Sequence, residues 1–211
     1  GGNLIKIMKS ISPIIVFLVM FLAVFVFYGC DSDGDGTVAG PQDTIEAEIM
    51  SLKAGNMWIH EFRHLFGDTL IFEFPDSMII DSTCLLRGNE WCVLREQLDQ
   101  VASLNFYRQA EDGIRMLHIL HEDTTEGLFF KYPVEQGDVW IAPNGEWLTC
   151  LSTTATVIVP FGTYENCIHF SYVNDDDDEG MWLKPGIGWI KSMWREGDHT
   201  FWFSLQELLV N

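Results

Sequence analysis

Residues 60–64 read His-Glu-Phe-Arg-His, and Gly67 extends the run to HExxHxxG. On a helix, His60 and His64 lie one turn apart on one face. Both imidazoles then reach a zinc ion at ~2.0–2.1 Å, and Glu61 serves as general base for a bound water. That is metallopeptidase chemistry. The extended metzincin pattern needs a further ligand at position 70, which is Leu70, and no second-helix glutamate follows. The setting also reads as a strand: Gly55-Asn56 opens the segment, Gly67-Asp68 closes it, and Leu70-Ile-Phe-Glu-Phe74 continues beyond. A two-residue Gly-Asp turn between two such runs is a hairpin signal. On a strand, residues four apart are separated by ~13 Å at ~3.3 Å per residue, too far to share an ion. The expectation is an extended segment with no catalytic residue, metal or cofactor; a zinc site at His60, Glu61 and His64 is the alternative.

Cysteine chemistry depends on where the chain resides. Cys30 ends an export-type segment, which leaves Cys84, Cys92, Cys150 and Cys167, an even number for an oxidising compartment. Cys84 and Cys92 flank the turn Arg87-Gly88-Asn89-Glu90 and can meet across it. Cys150 with Cys167 is then the second disulfide, and buried free thiols are the alternative. A Cys–His nucleophile using His118 or His169 needs a geometry that spacing does not supply. His118, His121, His169 and His199 read as strand or loop residues.

The export segment begins at Met8: Lys9 precedes an unbroken apolar run from Ile14 to Tyr28, then Gly29 and Cys30. A short positive region, an apolar stretch and a small residue before the cut make a secretory signal. The cut site resembles a lipobox, in which the cysteine becomes the lipid-bearing first residue, although Phe27 and Tyr28 are bulkier than that pattern prefers. The alternative is an uncleaved anchor, since Ile11 to Tyr28 is about the minimum that spans ~30 Å of hydrocarbon. Either reading puts the rest of the chain outside the cytoplasm, in a bacterial cell envelope. Several acyl chains on Cys30, at ~0.8 kcal/mol per buried methylene, give a stable hold on the membrane. Asp31 resembles a signal retaining some lipoproteins in the inner membrane. The expected organisation is a signal peptide over 1–29, a lipid-anchored acidic linker over 30–49 and a β-rich domain over 50–211.

The linker carries its own candidate. Asp31, Asp33, Asp35 and Gly36 match the first half of a calcium loop, where alternate carboxylates converge on one ion. The glutamate expected at the twelfth position is Gln42, so a calcium-dependent surface module is the weaker alternative. The run Asp175–Glu179 reads as a solvated hairpin tip.

Charge restricts the partners. The 12 Lys+Arg and 31 Asp+Glu give −19; from Cys30 onward, without Lys6 and Lys9, 10 basic residues face 31 acidic ones. Such a surface repels phosphate backbones, so nucleic acid is excluded as a partner. A protein or small-molecule partner remains. Fifteen Phe, eight Trp and five Tyr supply the apolar faces of a packed core.

The elements that position these residues are strands. After Ser51 the chain is a series of short apolar or alternating runs: 57–66, 69–74, 77–84, 91–97, 104–109, 115–120, 127–131, 147–159, 164–173, 181–184, 187–195 and 200–205. They are joined by tight turns at Gly67-Asp68, Arg87–Glu90, Glu111-Asp112-Gly113 and Pro143-Asn144-Gly145. That spacing indicates antiparallel meanders in a single mainly β domain. Glu46–Leu52 and Gln206–Val210 are the stretches capable of a helical turn. Pro160 with Gly162, and Pro185-Gly186 with Gly188, suit tight turns and close backbone approach. Leu52–Trp58 and Pro133–Trp140 share a Gly-Asn or Gly-Asp turn before a Trp, too short a likeness to establish a repeat.

The stretches FFKYPVEQGDVW (129–140), VIVPFGTYENCIHF (157–170) and MWLKPGIGWIKSMW (181–194) together resemble a family of uncharacterised bacterial lipoproteins. Its members carry a P-x-x-x-G-D-x-W segment, a V-P-x-G-T-F hairpin and a late W-x-x-P-G-[VI]-G-x-[VI]-K hairpin. Tyr164 stands where that family usually has Phe, and Phe161 where it often has Ala. The resemblance spans most of residues 50–205. It implies a curved antiparallel sheet or half-barrel, and no activity.

Overall fold

A computed structural model describes residues 48–98, 101–120, 123–172 and 178–210, all within the unit Asp33–Asn211. In chain order the strands are β1 (Met57–Phe66), β2 (Thr69–Leu86), β3 (Asn89–Leu98), β4 (Val101–Ala110), β5 (Gly113–Leu120) and β6 (Asp123–Lys131). There follow β7 (Val139–Ile141), β8 (Trp147–Val159), β9 (Gly162–Tyr172), β10 (Gly180–Lys184), β11 (Gly188–Glu196) and β12 (His199–Leu209). They form one antiparallel sheet in the order β6-β5-β4-β3-β2-β1-β12-β11-β10-β9-β8-β7. The first strand therefore pairs with the last, and sequence neighbours pair on either side of that junction. The sheet curls until its edges β6 and β7 nearly meet, with the Trp140 indole N–H donating to the Phe129 carbonyl at 3.1 Å. The mainly β expectation holds.

Alternation decides what faces inward. In β1, Trp58, His60 and Phe62 are buried while Ile59, Glu61 and Arg63 are less so, the period-two pattern of a half-buried strand. The inner face collects Trp58, Met78, Ile80, Leu94, Ile114, Phe130, Phe170 and Leu205 into one core. Phe130 packs against Phe170 (ring centroids 5.6 Å) and Trp189 (5.8 Å), and Trp140 meets Phe170 edge-on at 5.2 Å. Each such side chain contributes roughly 1.5–3 kcal/mol by leaving water. Met50 occupies the space a Cβ on Gly188 would fill, 2.6 Å from its Cγ, which is the close approach expected there.

Several elements differ from the sequence reading, which had no strand at β7, Val139–Ile141. The runs 69–74 and 77–84 are one strand of 18 residues, β2. Pro75 does not break it because pairing with β3 starts only at Asp76, so the missing N–H leaves no β3 ladder bond unmade. Gln206–Leu209 continue β12, paired through Leu209 with Met57, instead of forming a helical turn. The segment from Glu48 to Leu52 is also not helical.

The sheet is longer at one end. Thr69–Pro75 of β2 extend past β3, and Trp194–Glu196 of β11 extend past β10, whose pairing ends at Gly180↔Met193. Four strands, β2-β1-β12-β11, therefore project as a ledge. Its two turns are stitched together where the Gly67 N–H donates to the Asp198 carbonyl at 2.8 Å.

Candidate functional site

The HExxH residues separate. All five lie on β1, so His60 and His64 are ~13 Å apart along the strand. Glu61, one residue over, is turned to the opposite face, where it pairs with Arg63 at 2.7 Å. Arg63 also meets Glu73 on β2 at 3.3 Å. The general base and the two imidazoles of a zinc peptidase do not converge. No group of three or more His, Cys, Asp or Glu among the described residues is arranged to hold a metal ion.

His60 is in the core, 1% exposed. Its Nε2 lies 3.1 Å from the Trp189 carbonyl, so Nε2 carries the proton and donates. Trp58 makes the parallel contact, its indole N–H donating to the Ile187 carbonyl at 2.7 Å. These bonds satisfy carbonyls at the start of β11, before its pairing with β12 begins at Lys191. Burial drives the His60 pKa down to about 4, against the opposing pull of the Trp189 carbonyl.

Directly opposite His60 in register is Asp76 on β2, also 1% exposed. Burial, reinforced by Glu96, raises its pKa to about 8, opposed by the Ser77 backbone N–H. Glu96 on β3 is raised by burial as well, although the Ser103 hydroxyl donates to it at 3.2 Å. His60 Nδ1 and Asp76 Oδ1 have no hydrogen-bond partner among the described residues. His60 and Asp76 are thus both mainly uncharged at neutral pH. Sequence reasoning missed both acids, yet the signal was present: Asp76-x-Met78-x-Ile80 and Leu94-x-Glu96 put them on an apolar face by period two.

His64 finds a partner 135 residues away. Its Nε2 is 2.8 Å from Nδ1 of His199, with one imidazole N–H donating to the other ring's lone pair. His64 stacks on Phe201 (4.4 Å, 12°) and meets Phe72 edge-on at 4.8 Å, while Phe66 borders His199 at 5.1 Å. Burial, then the neighbouring His199, lowers the His64 pKa. The pairing follows from register, since His64 opposes Phe201 and Phe66 opposes His199. No local pattern marks His199 for this position.

The outer face carries a groove of about 420 Å³ near the ledge, bordered by Trp182, Lys191, Met193, Arg195, Thr200 and Trp202. The Lys191 ammonium lies 4.7 Å from the Trp182 ring and 5.2 Å from the Trp202 ring. It makes no hydrogen bond or ion pair with any described residue, and burial lowers its pKa against the pull of Asp178. Arg195 is bidentate to Asp178 at 2.7 and 2.6 Å. Trp182 also stacks on His169 at 4.1 Å, whose Nε2 donates to the Glu179 carbonyl at 2.8 Å.

Cys84, Cys92, Cys150 and Cys167 are not joined to one another in disulfides. Cys84 is opposite Trp91 and Cys92 opposite Thr83, which turns the first two to different faces of their hairpin, so no bridge joins them. Burial pushes the Cys150 thiol up to about 11 and raises Cys92 and Cys167 too, the reverse of what a thiolate nucleophile needs. Cys30, the linker aspartates with Gln42, His121 and Asp175–Asp177 lie outside the described residues.

No family model matches the chain, and no curated protein matches it in sequence. Two crystal structures are similar to it. One is of a candidate lipoprotein from Parabacteroides distasonis ATCC 8503, 10% identical with a TM-score of 0.44, the match covering 77% of this chain and 99% of that one. The other is of a candidate exported protein with a YmcC-like fold from Bacteroides fragilis NCTC 9343, 13% identical with a TM-score of 0.44, covering 78% of this chain and 100% of that one.

Proposed function

We propose that the chain is a lipid-anchored protein of the bacterial envelope, held by Cys30, whose β-domain binds a ligand in the outer groove and catalyses no reaction. The anchor rests on the Lys9–Cys30 segment. The binding role rests on one observation: Lys191 stands between two indoles with its N–H donors unused by any described residue. Two indoles with a cation between them suit a ligand that joins a flat or ring-shaped apolar surface to an anionic group. The separation of Glu61 from both imidazoles argues against the peptidase alternative. Ion pairs on the outward face, such as Arg95 with Asp81 at 2.7 Å, fit a domain in water beside the membrane better than one in hydrocarbon.

Two experiments test this reading. Radiolabelled palmitate should enter the wild-type protein and not Cys30→Ala; equal labelling removes the anchor. D-glucuronate should quench the tryptophan fluorescence of the wild type and act at least tenfold more weakly on Lys191→Met, with D-glucose weak on both. Identical titrations for wild type and variant discard the groove as the binding site.

A further inference from the structure

We propose that His64 and His199 form a binding site for one divalent transition-metal ion, cupric ion most tightly, at the tip of the ledge. Their facing nitrogens are 2.8 Å apart. Two imidazole nitrogens at ~2.0–2.1 Å from one ion and about 90° apart are separated by about 2.9 Å, whereas tetrahedral placement needs about 3.4 Å. The pair is thus spaced for adjacent positions of a tetragonal ion, the geometry of Cu(II) and Ni(II). On binding, the rings turn their near lone pairs to the ion. The proton held between them moves to the far nitrogen of its own ring, so both imidazoles stay neutral and no net proton leaves.

The surroundings hold this geometry and leave it accessible. His64 is wedged between Phe201 and Phe72, and the Gly67–Asp198 bond ties together the turns on which the two histidines depend. With their strands held in this way, the two histidines need only ring rotation to take the ion. Phe66 and Phe72 are 50% and 43% exposed, so the ledge is open to water, which fills remaining positions. With nitrogen and oxygen donors and no sulfur, affinity follows the order that peaks at Cu(II). His60, four residues from His64, takes no part because it faces the core.

The test uses the mature protein and copper(II) sulfate. Equilibrium dialysis should give one Cu(II) per chain, with a tetragonal electron paramagnetic resonance spectrum showing coupling to two nitrogens. His199→Asn and His64→Phe, the latter keeping the stack on Phe201, should each weaken binding at least tenfold, while His118→Gln should not. Near-UV circular dichroism confirms that each variant is folded; if His64→Phe is not, His199→Asn decides alone. Binding by folded His199→Asn equal to wild type, loss in His118→Gln instead, or no stoichiometric uptake by the wild type each overturns the site.

Discussion

The indole N–H of Trp140 and the carbonyl of Phe129 meet at 3.1 Å, both residues buried, and link the two edges of a twelve-stranded sheet. β7 is three residues long, so little ladder is available to hold this seam. Gly127 helps, because a Cβ there would approach Pro143 Cγ to 3.0 Å. Trp140→Phe keeps a ring in the core but leaves the Phe129 carbonyl without its donor. The expected cost is about 1–3 kcal/mol, read from the urea midpoint. Amide exchange should speed up first in β6; exchange unchanged there while the midpoint falls would mean that packing, not closure, had been lost.

His60 makes the fold sensitive to acid. It is neutral when folded, with a pKa of about 4 against 6.5 in the unfolded chain. The unfolded state therefore binds the proton first. Stability is fully present above pH 6.5 and is lost as the pH falls towards 4, by about 3 kcal/mol in total. Lowering of the His64 pKa acts in the same direction. His60→Gln can still donate to the Trp189 carbonyl and cannot titrate. Its unfolding free energy minus that of the wild type should rise by about 3 kcal/mol as the pH falls from 6.5 to 4; a difference that stays constant over that range would refute the assignment.

Asp76 has the opposite sign. Its carboxyl titrates at about 8 when folded and near 3.8 when unfolded. It costs nothing well below pH 4, a growing amount above that, and its full penalty beyond about pH 8. Between pH 4 and 6.5 it offsets His60, so the wild type should show a shallow profile there. Asp76→Asn removes the penalty and should be more stable than wild type at pH 7 by about 2–4 kcal/mol. The two proteins should converge near pH 3.5. A variant less stable at pH 7 would show that the carboxylate, not the acid, is the form the core accommodates.

What the sequence made legible was local. Gly67-Asp68 announced its hairpin, and that turn, more than periodicity, turned HExxH into a strand, because Trp58, Phe62, Leu65 and Phe66 also fit a helical stripe. The passage of β2 through Pro75 was not legible, since it depends on where the neighbouring strand starts. The His64–His199 contact depends on the first strand pairing with the last, and no short window contains a register set 135 residues apart. The Lys191 groove was hidden for a similar reason. Its two tryptophans come from β10 and β12, and the lysine from the strand between them.

Gly113 begins β5 with φ +130°, where a Cβ would stand 2.0 Å from the Phe130 carbonyl oxygen and 2.7 Å from the Tyr132 nitrogen. Both neighbours are backbone on β6 or just past it, so neither can turn aside as a side chain would. Gly137 also has positive φ, +89°, yet nothing lies within 4 Å of the same point. The two positions separate dihedral strain from collision. Gly137→Ala should cost about 1–3 kcal/mol, the strain of a non-glycine residue held in a sparsely populated region. Gly113→Ala carries a comparable strain and must in addition push β6 away from β5, next to the edge that Trp140 closes. Thermal unfolding should show a clearly larger loss for Gly113→Ala, together with faster amide exchange at Phe129–Lys131. Equal losses at the two glycines would mean that β6 yields freely, and that the seam is looser than the Trp140–Phe129 bond implies.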